Sequence, residues 1–242
     1  MNRHAATPVI GWTIAIVLMA IGCALGTWQL RRMHQKETML ASVATVLRER
    51  TPQPLAIASD DTRKQTYDWA AGEGRFLQQP AWLVDNQQRD GRPGVRVFRL
   101  FKPLGNGMPL LVEMGWMPVG AARQMPVVGS APAATIAIKG LLLPPPSSGL
   151  LAGAESQTPD GQHLVIALDP ATIATRSGVA RIAPRVLRLD PDMPLGHARD
   201  LDVLPNTLPP ERHLGYAVQW FALAAAVLII AILLTLRQRR RP

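Results

Sequence analysis

The 242-residue chain has a single cysteine, Cys23, and it lies inside a long uncharged stretch. No thiol remains elsewhere for a disulfide, a thiolate metal site, a copper-relay pair or a c-type haem linkage. Catalytic signatures are equally scarce. There is no nucleophile elbow, phosphate loop or zinc motif, and His4, His34, His163, His197 and His213 nowhere pair at metal-ligand spacing. These absences point away from an enzyme. His163, at the edge of an apolar run, reads as a surface or satisfied core residue. Asp190, Asp192, Asp200 and Asp202 are interrupted by Pro191 and Pro194 and read as a solvated loop rather than a cation site.

The apolar residues concentrate at the two ends. Val9 to Leu30 and Leu214 to Leu236 carry no charge, and as helices each would reach roughly 33 to 35 Å, the thickness of a hydrocarbon core. Between them, prolines and charges break every run, and only Pro8 and Pro242 of the 22 prolines lie outside this middle. The expectation is a membrane α+β protein, with two transmembrane helices flanking a mostly β extracytoplasmic domain built as a small antiparallel sandwich or open barrel. Its divisions are an N-terminus at 1–8, a first membrane helix at 9–30, a helical extension at 31–51, a β-rich domain at 52–213, a second membrane helix at 214–236 and a basic tail at 237–242. The first apolar run exceeds the roughly 7 to 15 residues of a signal-peptide core, so a retained anchor is preferred to a cleaved signal.

The formal charge is +9, which invites a nucleic-acid reading. Arg3 and the arginines at 237, 239, 240 and 241 supply five of that excess beside the membrane, where they meet anionic headgroups. What remains is mildly basic and contains no nucleic-acid module. Basic residues flank both sides of each apolar run, so the positive-inside count is nearly even.

Within the middle, Leu30, Met33, Met39, Leu40, Val43 and Leu47 recur at near-helical spacing until Pro52 and Pro54. Seven short runs then read as strands: 74–77, 81–84, 95–100, 110–114, 135–138, 164–168 and 186–189. Asp169 before Pro170 opens a short helix over 171–175, closed near Gly178, and 144–149 is a loop. On the run 95–100, Arg96, Phe98 and Leu100 alternate with Val95, Val97 and Arg99, so neither face is purely polar. A twisted strand with snorkelling arginines is preferred there to a partner-docking edge.

Two segments abutting the membrane are less ordinary. Gly26-Thr27-Trp28-Gln29-Leu30-Arg31-Arg32-Met33 ends the first apolar helix, and Arg212-His213-Leu214-Gly215-Tyr216-Ala217-Val218-Gln219-Trp220-Phe221 opens the second. An aromatic belt with snorkelling arginines accounts for Trp28, Trp220, Arg31 and Arg32. It leaves the glutamine and the histidine unexplained. The order Gly26, Trp28, Gln29, Arg32, Lys36, then Gly74 with Phe76, Gly94, Leu111-Val112 with Gly115-Trp116-Met117-Pro118, and finally His213-Leu214, Tyr216-Ala217 and Trp220-Phe221, resembles the surfeit locus protein 1 family across essentially the whole chain. The chain departs from that pattern at Met114, Gln35 and Glu211-Arg212. The resemblance implies assembly of haem-copper cytochrome c oxidase, with haem a delivered to the catalytic subunit and haem a synthase as a further partner. Together with the dense terminal arginines, the resemblance favours cytoplasmic ends and a periplasmic domain in the cell inner membrane.

The residues suit such a cargo. A haem a carrier needs a nitrogen ligand, an apolar cleft and cations for two propionates. His213 stands at the mouth of the second helix, and counting by three and four places Tyr216, Ala217 and Trp220 with it, Gln219 beside them. Trp28 and Gln29 are expected at the same membrane level, with Arg31, Arg32 and Arg212 in reach of propionates. The expected binding set is therefore His213 as ligand to the haem iron, with Tyr216, Trp220, Trp28, Gln29, Arg31, Arg32 and Arg212 around it. The other reading keeps His213 as an interfacial histidine and makes the protein a membrane scaffold for oxidase intermediates that binds no haem.

Overall fold

A computed structural model describes residues 3–146, 155–204 and 208–239, with side chains from residue 9 onward. The extreme tail at 240–242 and the end of the 144–149 loop lie outside the described residues. The chain divides into two compact units, Met1–Ala41 with Thr207–Pro242, and Ser42–Asn206.

The first unit is a helix pair. Helix α1 (Arg3–Glu49) begins here and runs on into the second unit, and α3 (Pro210–Arg239) returns antiparallel to it. Pro210 takes the first helical position, where its missing N–H costs nothing, and Glu211 complements the positive end of the helix dipole. One face of each helix meets the other. On α1 the stripe includes Ala15, Gly22 and Gly26, and on α3 it is Pro210, His213, Ala217 and Ala224. Small residues set the spacing: a Cβ on Gly22 would meet Ala224 Cβ at 3.1 Å, and one on Gly26 would meet the Phe221 ring at 2.7 Å. A Trp12 Nε1 to Thr235 Oγ1 hydrogen bond of 3.0 Å ties the far end. Both helices are long and apolar enough to cross a membrane, and only 17% and 11% of their most apolar windows are buried. The core helix of a soluble domain would bury far more.

The second unit is built from strands β1 (Gln53–Pro54), β2 (Asp68–Phe76), β3 (Trp82–Arg89), β4 (Arg92–Pro103), β5 (Leu110–Pro118), β6 (Ile136–Leu143), β7 (Glu155–Gln157), β8 (His163–Val165) and β9 (Val186–Leu189), with helix α2 (Pro170–Arg176) between β8 and β9. Their order is β1-β2-β6-β9-β5-β4-β3-β8-β7, and a further pairing of β2 with β4 closes β2, β6, β9, β5 and β4 into a ring. The strand-rich expectation holds: each of the seven runs overlaps a strand, although 164–168 does so only at Leu164 and Val165. The sheet is mixed rather than antiparallel throughout: β1 with β2, β3 with β8 and β5 with β9 run parallel. The β5 to β9 pairing is reached by a long connection, as parallel neighbours require.

Ring closure buries β4 on both faces. Val95, Val97 and Phe101 join Leu83, Leu110, Val112, Leu142 and Leu187 in one core. Phe98 and Leu100 lie with Trp82, Leu111, Val186 and Ile173 of α2 in another. Odd-numbered residues face one core and even-numbered residues the other, the ordinary alternation of a strand, and the partner strand β5 is bulged opposite them. Val97 pairs with Gly115 and Phe98 with Glu113, which leaves Met114 as the extra residue. The snorkelling and docking-edge readings of this run are both corrected, because β4 is central and Arg96 and Arg99 are largely buried. Arg96 meets Glu113 at 2.6 Å, and Glu113 meets Arg188 at 2.9 Å. Asp169 caps α2 by accepting from the Ala171 and Thr172 N–H groups. Asp190, expected in a solvated loop, is fully buried, with Lys139 at 3.2 Å and Arg50 at 3.5 Å.

Candidate functional site

His213 is a buried titratable group of the helix pair, 7% exposed in the first turn of α3. Its Nδ1 lies 2.7 Å from Oε1 of Gln29 on α1. An amide oxygen can only accept, so Nδ1 donates its proton and the neutral ring keeps the lone pair on Nε2. That Nε2 is buried and has no hydrogen-bond partner. Buried polar atoms are nearly always satisfied, and a metal-ligating histidine commonly has one nitrogen oriented by an outer hydrogen bond while the other is free. The pair has the form of a ligand and the group that positions it.

Charge surrounds this pair on α1. Lys36 is 9% exposed and donates through Nζ to the Leu208 carbonyl. Lys36 and Arg32 are the charges acting on the imidazole. Two cations beside a nitrogen donor suit a ligand that brings carboxylates.

The expected residues divide into two sets. His213 and Gln29 are in direct contact, and Trp220, half-buried, shares their stripe with Ala217. Trp28 and Tyr216 turn outward, 56% and 42% exposed, and Arg31, Arg32 and Arg212 are exposed around the rim. Lys36 was not among the expected site residues. Its signal was present, since it lies seven residues after Gln29 and so on the same helical face. His34 stands apart, exposed, with Glu37 at 3.1 Å.

His163 and His197 are accounted for locally. His163 stacks on Trp82, with ring centroids 4.1 Å apart, and meets Glu155 at 2.9 Å. His197 is packed over the β5 bulge, where its N–H donates to the Met114 carbonyl. Burial and the neighbouring Arg99 and Arg199 hold its pKa below the ordinary histidine value. Among the described residues no three His, Cys, Asp or Glu side chains gather as a metal site.

The profile of the SURF1 family matches residues 16–225. The chain belongs to the SURF1 family. The match takes in both helices and the strand domain between them, including Gln29, Lys36 and His213. Over 113 residues the chain is 28% identical to a Saccharomyces cerevisiae protein named cytochrome oxidase assembly protein SHY1, a match that covers 45% of this chain and 28% of the yeast protein. It is 25% identical over 229 residues to a SURF1-like protein of Monosiga brevicollis, covering 87% of this chain and 82% of that one. The match thus spans little more than a quarter of the yeast relative's length.

Proposed function

We propose that this SURF1-family chain serves the assembly of haem-copper cytochrome c oxidase, and that it holds haem a through His213 before the cofactor reaches the catalytic subunit. The assembly role rests on the family and on the name of the yeast relative, and it makes the protein a binding and delivery factor rather than an enzyme. The haem reading rests on one observation: the buried, unpartnered Nε2 of His213, with Nδ1 tied to Gln29.

The cofactor supplies its own four equatorial nitrogens and two propionates, so one axial nitrogen and nearby cations suffice from the protein. The lack of a multi-ligand metal cluster among the described residues is compatible with that. In this reading His213 is the axial ligand, Gln29 orients it, Lys36, Arg31, Arg32 and Arg212 receive the propionates, and Trp220, Trp28 and Tyr216 offer apolar contact. The two helices cross the cell inner membrane, both termini are cytoplasmic, and the strand domain is periplasmic. Haem a synthase is the natural donor and the oxidase catalytic subunit the acceptor.

Titration of the full-length protein with haem a in mild detergent tests the ligand. A saturable Soret shift is expected for wild type and for His34→Ala, whose histidine is exposed and paired with Glu37. His213→Ala should lose that shift while inserting normally, because the apolar length that drives insertion is unchanged. Equal binding by His213→Ala would remove the assignment, and no binding by any of the three would favour a scaffold that handles no haem.

A further inference from the structure

Three arginines of the strand unit are buried: Arg99, Arg185 and Arg188. Arg185 meets Asp68 at 2.5 Å and Arg188 meets Glu113 at 2.9 Å. Arg99, 5% exposed on β4, instead donates to the backbone carbonyls of Gln79, at 3.1 Å, and Gly129. Burial lowers its pKa, and no acid among the described residues acts to raise it. Tying two carbonyls together requires donors and not a charge, and a neutral amide would do it without the cost of a buried unpaired cation.

The guanidinium has five N–H groups, and these two contacts leave donors free. It lines a cavity of about 340 Å³ together with Gln79, Val128, Ser130, Ala131 and Gln162. Gln79 adds a second unmet demand, because its Oε1 is buried with no partner while its Nε2 is bonded to the Ser177 carbonyl. The lining thus holds a cation with spare donors and a glutamine whose side-chain oxygen has no donor. A carboxylate flanked by an N–H or O–H group matches both. The end of a peptide chain has that pattern, and so does a small hydroxy acid.

We propose that the cavity beside Arg99 is a binding site for a carboxylate ligand with an adjacent hydrogen-bond donor. The site lies wholly within the strand unit and does not depend on the haem reading.

The test is calorimetric titration of the full-length protein in detergent with N-acetyl-alanyl-alanine, with the same peptide carrying a C-terminal amide, and with lactate. The free acid should bind saturably and the amide at least about 30-fold more weakly, the usual effect of losing one partner of a buried charge pair. Binding of lactate as well would make a free hydroxy acid a sufficient ligand. Failure of lactate beside binding of the peptide acid would make the chain end the source. Arg99→Gln should abolish binding. Because that variant also alters a buried position, Ser130→Trp at the exposed rim of the cavity provides the second arm: it should fold normally and block the site. No saturable binding of either acid to the wild type, equal binding of peptide acid and amide, or undiminished binding by folded Ser130→Trp would overturn the proposal.

Discussion

Gln29 governs which nitrogen of His213 is free. Without its oxygen the imidazole can change tautomer or turn, and outer-sphere partners of this kind are typically worth about 10- to 100-fold in metal affinity. Gln29→Leu should therefore weaken haem a binding by roughly 10-fold or more, and Gln29→Glu, which keeps an acceptor, should restore much of it; unchanged affinity in Gln29→Leu would mean the contact does not position the ring. The position of His213 at the helix mouth was legible in the sequence, with Ala217 and Trp220 on its stripe, but the exact inward face was not. Nearly every neighbour is apolar, so there is no polarity contrast to mark the inward face. Tyr216, three residues on, consequently counted as a companion although α1 packs on the 213, 217 and 224 stripe. His197 yields a pH test. Its folded pKa lies below its ordinary value near 6.5, so the unfolded chain takes up the proton first, and stability should fall as pH drops from about 6.5 toward the folded pKa and then level off. Thermal unfolding at pH 8 and pH 5.5 should show that loss in wild type and a smaller one in His197→Asn; the same loss in both would assign it to other groups.

At the scale of elements, strand identity was readable because β-branched and aromatic residues cluster between turn residues, and α2 because Asp169-Pro170 is a capping pair. Pairing was not readable. Closure through β2 and β4 brings Gly74 against Pro103 and Phe76 against Phe101, contacts between residues too far apart in sequence for local pattern to reveal. The bulge at Met114 and Gly115 was hidden for a related reason: Gly115 takes φ +117 under the His197 carbonyl, which a Cβ would approach to 2.6 Å, and that loop arrives from some eighty residues away. A Cβ on Gly140 of β6 would stand 2.0 Å from the Arg188 carbonyl of β9. Backbone cannot move aside as a side chain can, so Gly140→Ala should lower stability by about 2 kcal/mol or more, in the range of overpacked cores. Chemical unfolding of the full-length variant checks this, and wild-type stability would show the β6 to β9 register to be looser than described.

For the whole molecule, the two terminal apolar helices were legible from charge distribution alone, since water-soluble cores do not leave uncharged helices of this length exposed. Orientation was not, because basic residues stand on both sides of each helix. A reporter active only in the periplasm should work when inserted near Pro146 and fail when fused after Pro242; the opposite pattern would reverse the proposed topology. If His213 serves oxidase assembly by holding haem a, the most direct measurement is the haem a content of oxidase purified from cells whose only copy of this protein carries His213→Ala. Oxidase depleted of haem a, with the variant present in the membrane at wild-type level, is the predicted result. A full complement of haem a in that oxidase would show that His213 does not hold the cofactor for it.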